Sequence, residues 1–229
     1  WRRRRRASFR GRMRVFFWLI ATTTIMCVGA TAMLLVAILT LFQTRRFYAE
    51  VMTKWLARAV LWCAGVKMVV HQARPFPDRQ TIYISNHLST LDVFILLALG
   101  LPNSRYFMGG WLRKIIPLGI VTHIIGTFHT PLQTDPAKRV LCFQNAERVL
   151  RKTGESVYLS PEGQRVTDGT IGHFNKGAFH LATNLQVPIQ PFYIEIPPAI
   201  DPKMGYGVVP GTVQITLLPE ISTDGWTLD

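Results

Sequence analysis

The sequence predicts an α/β protein: a single mixed-sheet domain flanked by helices, residues 67–229, preceded by an N-terminal membrane-anchoring helical segment over residues 1–66. Three observations lead there. From Val66 onward, short β-branched runs alternate with apolar helical runs, the order that builds a sheet covered by helices. An uncharged stretch from Val15 to Phe42 separates two clusters of arginine. The charge is also lopsided: of 26 Lys and Arg against 13 Asp and Glu, residues 1–58 hold 12 basic groups and one acidic group, leaving 14 against 12 for the rest.

Taken in order, Arg2 to Arg6, Arg10, Arg12 and Arg14 form a basic arm ahead of the apolar stretch, and Arg45, Arg46, Lys54 and Arg58 follow it. The 28 residues from Val15 to Phe42 would make a helix of about 42 Å, longer than the roughly 30 Å hydrocarbon core of a bilayer. Basic flanks on both sides favour a hairpin dipping into one leaflet, broken near Thr22–Thr24 or Gly29, over a single span that would place one cluster outside. The run is too long for a secretory signal, and no small-residue cleavage site follows it. Phe47 to Val66 reads as an amphipathic helix with Phe47, Val51, Met52, Trp55, Leu56, Ala59, Val60 and Trp62 on one face, and Trp55 and Trp62 suit the headgroup level.

Expected strands are Val66–His71, Thr81–Ser85, Ser104–Met108, Thr122–Phe128, Ser156–Ser160, Ile189–Ile196 and Thr212–Leu218. The clearest helix runs from Pro136 to Lys152: Thr134 or Asp135 offers a cap, Pro136 suits the first turn, and Val140, Leu141, Phe143, Val149 and Leu150 form the buried stripe. Cys27, Cys63 and Cys142 have neither metal nor disulfide spacing, which suits a reducing compartment. His71, His123, His173 and His180 likewise lack ligand spacing, so no metal is expected.

Two blocks carry chemistry. In Ser85-Asn86-His87-Leu88-Ser89-Thr90-Leu91-Asp92 a strand turns into an apolar helix, with a histidine and a carboxylate five residues apart. A carboxylate at that spacing reaches back to one imidazole nitrogen and fixes the tautomer, freeing the other nitrogen to take a proton from a hydroxyl. The plainer alternative is a helix start capped by Ser89 or Asn86 beside an incidental histidine. The second block, Tyr158-Leu159-Ser160-Pro161-Glu162-Gly163-Gln164-Arg165, runs a strand into a Pro/Gly turn that presents a guanidinium suited to phosphate, or an ordinary surface turn with an internal ion pair.

Together, in this order and about 70 residues apart, the blocks resemble the glycerolipid acyltransferase family that contains the 1-acylglycerol-3-phosphate acyltransferases. Asn86, His87 and Asp92 match the family's N-H-x-x-x-x-D, and Pro161, Glu162, Gly163 and Arg165 match F-P-E-G-T-R, with Ser160 and Gln164 departing from it. Val187-Pro188-Ile189-Gln190-Pro191 matches a further V-P-I-x-P block, Phe174 to Ala178 looks like F-x-K-G-A, and Gly211 to Ile221 looks like the last strand, so the resemblance covers about residues 55–221. One block departs: His129 or Thr130 stands where the family has an arginine that helps to hold the acceptor. Because the chain begins on Trp1 and ends soon after its last strand, it is expected to be a fragment or processed form.

The resemblance implies an O-acyltransferase bound at the cytoplasmic face of a membrane, such as the bacterial inner membrane. It would move a fatty acyl group from acyl-CoA or acyl carrier protein, as co-substrate, to the free hydroxyl of 1-acylglycerol 3-phosphate, giving phosphatidic acid. His87 would be the base and Asp92 its partner, while Glu162, Gly163, Arg165, Lys176 and His129 would serve the acceptor or the turn that holds it. No bound cofactor is implied. Other acceptors remain open, among them glycerol 3-phosphate or a lysolipid such as an amino-acid lipid. From a different class stands a non-catalytic membrane-surface or nucleic-acid module using the arginine arm, and the apolar run behind that arm favours bilayer over nucleic acid. Oligomeric state is not legible.

Overall fold

The computed structural model describes residues 2–168, 170–200 and 207–228, with side chains from Gly11 onward, so the first arginines of the basic arm lie outside the described side chains. Helix α1 runs unbroken from Arg2 to Leu39 and buries only a narrow stripe, Met26, Ala30, Met33 and Ala37. The break expected at Thr22–Thr24 or Gly29 is absent. A Cβ on Gly29 would lie 2.3 Å from Leu56, so this glycine lets a second helix approach closely instead of ending the first. The chain reverses at Thr40–Thr44, where Leu41 and Phe42 take left-handed backbone angles. It returns through α2 (Arg45–Phe47), a π-helical turn (Tyr48–Met52) and α3 (Thr53–Cys63).

The returning helix was expected, but not its inner face. Tyr48, Ala49, Thr53, Ala57, Val60 and Leu61 are buried, whereas Phe47, Val51, Trp55 and Trp62 are exposed. The π-helical turn rotates the later positions relative to the earlier ones, and small residues sit where α1 and the domain press closest. With Phe16, Phe17, Leu19, Ile20, Val28, Leu35, Ile38 and Leu39, also exposed, the hairpin carries a broad apolar surface. The span Gly11–Leu39 is long and apolar enough to cross a membrane.

Seven strands form one sheet in the order β1-β7-β6-β2-β5-β3-β4. They are β1 (Val66–His71), β2 (Ile82–Ser85), β3 (Ser104–Gly109), β4 (Phe128–Thr130), β5 (Ser156–Leu159), β6 (Ile189–Glu195) and β7 (Gly211–Leu217). Every pairing is parallel except β6 with β7. All residues of β2 and β5 are buried, as strands covered on both faces must be. Alternation divides the core: Tyr83, Tyr106, Met108 and Tyr158 face α1, α3, α4 (Asp92–Leu99) and α5 (Ile116–Ile124). Ile82, Ile84, Phe107, Val157 and Leu159 face α6 (Pro136–Thr153) and α7 (Gly177–Leu185).

Two expectations fail in detail. Of the strand placed over Thr122–Phe128 only Phe128 is strand: Thr122 to Ile124 end α5, a turn follows, and β4 begins at Phe128. The β-branched run Ile120 to Ile125 suits a strand by propensity, but Pro117 sits in a helical first turn and α1 covers the apolar face, so tertiary packing prevails. In α6, Asp135 caps the start by accepting from the Lys138 N–H at 3.1 Å, yet Val140 and Leu141 are exposed. The inner stripe is Cys142, Phe143, Ala146, Val149 and Leu150.

A buried cluster ties the hairpin to the sheet. Glu155, just before β5, pairs with Arg45 of α2 and Arg105 of β3. Arg45 also donates to the Ile125 carbonyl at 3.0 Å, and Arg105 to the Gly126 carbonyl at 3.1 Å. Burial, with Arg105 close by, lowers the Arg45 pKa to about 10.

Candidate active site

Strands β2 and β5 are parallel neighbours, so the loops leaving their carboxyl ends lie side by side, where α/β sheets gather functional groups. One loop carries Asn86 to Leu91 and the other Ser160 to Gly163. Asn86 is buried and splices the first loop onto β6: its side-chain Nδ2 donates to the Ile194 carbonyl at 2.9 Å, and the Ile194 N–H donates to its Oδ1 at 2.8 Å. The next residue, His87, is thereby set at a fixed height above the sheet.

Asp92 opens α4 and is 1% exposed. Its Oδ2 receives His87 Nδ1 at 2.6 Å and the backbone N–H groups of Leu88 and Ser89 at 2.7 and 2.9 Å. One carboxylate oxygen thus folds the loop and orients the ring; the expected caps do not form, since Asn86 bonds β6 and Ser89 Oγ accepts the Leu91 N–H at 3.2 Å, ahead of the helix. The His87 side chain is 29% exposed, and its Nε2 makes no hydrogen bond among the described residues. That nitrogen is the group a substrate hydroxyl can reach.

Glu162 turns inward. It is 3% exposed, and its carboxylate accepts the His87 backbone N–H at 2.9 Å and the Gly172 N–H at 3.1 Å. Both oxygens are engaged, so Glu162 braces the base from below rather than facing a substrate. Gly163 has a φ of +68°, which closes the turn as its N–H donates to the Ser160 carbonyl at 3.2 Å. Asn175, whose role the sequence does not reveal, stitches this turn from outside by donating its Nδ2 to the carbonyls of Pro161 and Glu162, each at 3.0 Å.

Arg165 is half-buried and forms no ion pair among the described residues. Its neighbour Val166 donates its N–H to the His87 carbonyl at 2.9 Å, which keeps the arginine beside the base. Lys176 is exposed and immediately precedes α7, next to Asn175. His129 is less suited to an anion. Its Nε2 lies 3.2 Å from the Thr122 hydroxyl, and burial together with Arg113 and His123 lowers its pKa. Near pH 7 it is therefore a neutral imidazole. The alternative position, Thr130, spends its hydroxyl on the Met108 carbonyl at 3.2 Å.

A family model described as Acyltransferase matches residues 67–195, more than half of the chain and both loops. The chain is 28% identical over 182 residues to a 1-acyl-sn-glycerol-3-phosphate acyltransferase of Limnanthes douglasii, covering 74% of this chain and 60% of that protein. It is 26% identical over 223 residues to a protein of that name in Pseudomonas aeruginosa, covering 92% and 81%. The crystal structure of the 1-acyl-sn-glycerophosphate (LPA) acyltransferase PlsC from Thermotoga maritima shares the fold, with a TM-score of 0.80 at 20% identity over 96% of this chain and 90% of that one.

Proposed function

This chain belongs to the acyltransferase family, and on that premise we propose that it moves a fatty acyl group from a thioester to the free hydroxyl of 1-acylglycerol 3-phosphate, giving phosphatidic acid. The observation that carries the chemistry is the 2.6 Å contact of His87 Nδ1 with a buried carboxylate that leaves Nε2 free. The acceptor is inferred from the relatives' names and from a half-buried arginine beside the base that forms no ion pair among the described residues.

With Nδ1–H held by Asp92, Nε2 of His87 takes the proton of the acceptor hydroxyl as its oxygen attacks the thioester carbonyl. Asp92 stabilises the imidazolium so formed, and buried charge-assisted hydrogen bonds are the strong kind. The tetrahedral intermediate collapses by breaking the carbon–sulfur bond, and the departing thiolate recovers the proton from Nε2. Ester and free thiol result, and the base returns to its starting state. Arg165 holds the acceptor phosphate and Lys176 adds a second, more mobile cation. The exposed apolar surface of α1 and α3 supports a hairpin seated in the bilayer, delivering the lipid acceptor to the sheet edge from the α4 side.

The test is transfer from labelled acyl-CoA to a panel of lysolipids, with products resolved by mass. His87→Ala should lose at least 100-fold in turnover while keeping its fold and membrane association. Near-parental turnover in a folded His87→Ala protein would remove the mechanism, and preference for a phosphate-free acceptor would remove the acceptor.

A further inference from the structure

The two helical layers differ in kind. The layer of α1, α3, α4 and α5 exposes the broad apolar surface of the hairpin behind its arginine arm, whereas the layer of α6 and α7 carries Lys138, Arg139, Arg148, Arg151 and Lys152 on α6 with Lys176 and His180 beside or on α7. Between α6 and α7 runs a groove of about 500 Å³, within the range of pockets that hold small organic ligands. Its floor includes Leu159, Ala178 and Leu181, and its rim includes Gln133, Arg139 and His180. It ends on Ser160, Pro161 and Gly163, the turn whose Glu162 grips the backbone of His87. The groove therefore stops at the turn that braces the His87 loop, and a chain leaving it has only that turn to pass.

Three nitrogen donors converge over that end. A Cβ added to Gly163 would meet Asn175 Nδ2 at 3.0 Å, Gln133 Nε2 at 3.4 Å and Arg139 Nη2 at 3.8 Å. Asn175 and Gln133 are engaged with turn carbonyls, but the half-buried guanidinium of Arg139 has no ion pair or side-chain hydrogen bond among the described residues. A planar cation at the turn end of a groove with an apolar floor, flanked by two amide nitrogens, fits a phosphate.

We propose that this groove holds the end of the acyl donor remote from its thioester, and that Arg139, at the turn, binds the phosphate from which the phosphopantetheine arm runs past the turn to His87, the chemistry that coenzyme A and acyl carrier protein share. The inference rests on the acyl-transfer reading above. The two faces of the sheet support it: the proposed lipid acceptor is delivered by the apolar hairpin, and the groove lies on the opposite face, beside the basic α6, where the polar, phosphate-bearing end of the donor fits. His87 stands between them at the carboxyl end of β2.

The experiment compares parent, Arg139→Ala and Arg139→Lys full-length proteins in detergent micelles, with palmitoyl-CoA, palmitoyl acyl carrier protein and S-palmitoyl pantetheine, which lacks the phosphate. Arg139→Ala should raise the donor KM about 10-fold or more, Arg139→Lys should recover part of the loss, and the lysophosphatidate KM should stay within about twofold. With S-palmitoyl pantetheine the three proteins should be alike. A loss with both phosphate-bearing donors assigns the arm's phosphate, and a loss with palmitoyl-CoA alone assigns the nucleotide phosphates; either upholds the groove as the donor's site. Lys67→Ala, on the far edge strand β1, removes one positive charge without touching the groove. An equal loss there, a shift in the acceptor KM instead, or no shift at all overturns the proposal. Equilibrium dialysis of CoA against parent and Arg139→Ala reads the groove without turnover, so absence of transfer to every acceptor would refute the reaction and leave the groove separately testable.

Discussion

Replacing Asp92 by asparagine separates orientation from charge. In the parent, one oxygen of Asp92 accepts from His87 Nδ1, Leu88 N and Ser89 N, while Oδ1 is buried without a partner. Asparagine can place its carbonyl oxygen where Oδ2 stands and keep all three hydrogen bonds in neutral form, with its NH2 in the vacant position. The loop then stays folded, and the change in stability should be within about 1–3 kcal/mol, the cost of one buried unpaired group. The imidazolium formed during transfer loses its counter-charge, however. A hydrogen bond to a charged group contributes about 1.5–3 kcal/mol, which sets a floor of roughly 10- to 150-fold on the loss in kcat. If the amide turns its NH2 toward Nδ1, the ring settles in the wrong tautomer and the loss approaches 10⁴-fold, as in the Ser-His-Asp template. Asp92→Ala should be comparably inactive but clearly less stable, since the Leu88 and Ser89 N–H groups lose their acceptor as well. The assay is single-turnover acyl transfer alongside thermal unfolding of the same preparations. Turnover of Asp92→Asn within about threefold of the parent would refute the pairing of Asp92 with a catalytic His87 and leave it as a loop cap.

Arg165→Ala should lower kcat/KM for lysophosphatidate by about 10- to 150-fold, and Lys should rescue it only in part; equal losses on phosphate-free lysolipids would move phosphate recognition elsewhere. Glu155→Ala leaves Arg45 and Arg105 buried together without their shared carboxylate, so it should destabilise the protein by about 3–5 kcal/mol, measured as a lowered unfolding midpoint. His129 has a lowered folded pKa, so protonation opposes folding: its contribution is fully present above an unfolded pKa of about 6.5 and is lost as pH falls from there through the lower folded pKa. His129→Gln should therefore narrow the difference in thermal stability between pH 7.5 and pH 5.5, and an unchanged difference counts against a buried neutral imidazole. Deleting residues 1–44 removes the apolar run and eight basic groups, and should release most of the protein from vesicles in a flotation assay.

Much of the His87–Asp92 pair was legible because it is local. His87 and Asp92 sit one helical turn apart across a strand-to-helix junction, and five residues suffice to bring ring and carboxylate together. Glu162 was legible as important but not in its role, because its partners, His87 N and Gly172 N, lie 75 and 10 residues away and depend on β2 and β5 being neighbours. Asn86 and Asn175 fall inside recognisable blocks, but their roles escaped for the same reason: a side-chain amide that bonds distant backbone leaves no periodic signal. Where helices cover the sheet, periodicity misled. The run Ile120 to Ile124 is rich in β-branched residues, so only contact with α1 decides for helix there, and the outward Val140 and Leu141 of α6 show that exposed apolar residues need not mark the core face.

The site is held by both layers at once. Asp92 reaches the His87 ring from α4, whose Ile95, Leu96 and Leu99 are packed into the core shared with α1 and α3. Glu162 grips the His87 backbone from a turn whose strand, β5, packs through Val157 and Leu159 against α6 and α7. Asn86 fastens the same loop to β6. A shift of either layer relative to the sheet therefore moves one of the three contacts that fix the base. The Glu155 cluster opposes such a shift on the apolar side, because it joins Arg45 of the hairpin to Arg105 of β3 at the foot of β5, the strand that carries the Glu162 turn at its other end. The membrane-facing hairpin and the carboxylate beneath the base are thus attached to opposite ends of one strand. A substitution at Glu155, remote from the base, consequently disturbs the element on which the geometry of His87 depends.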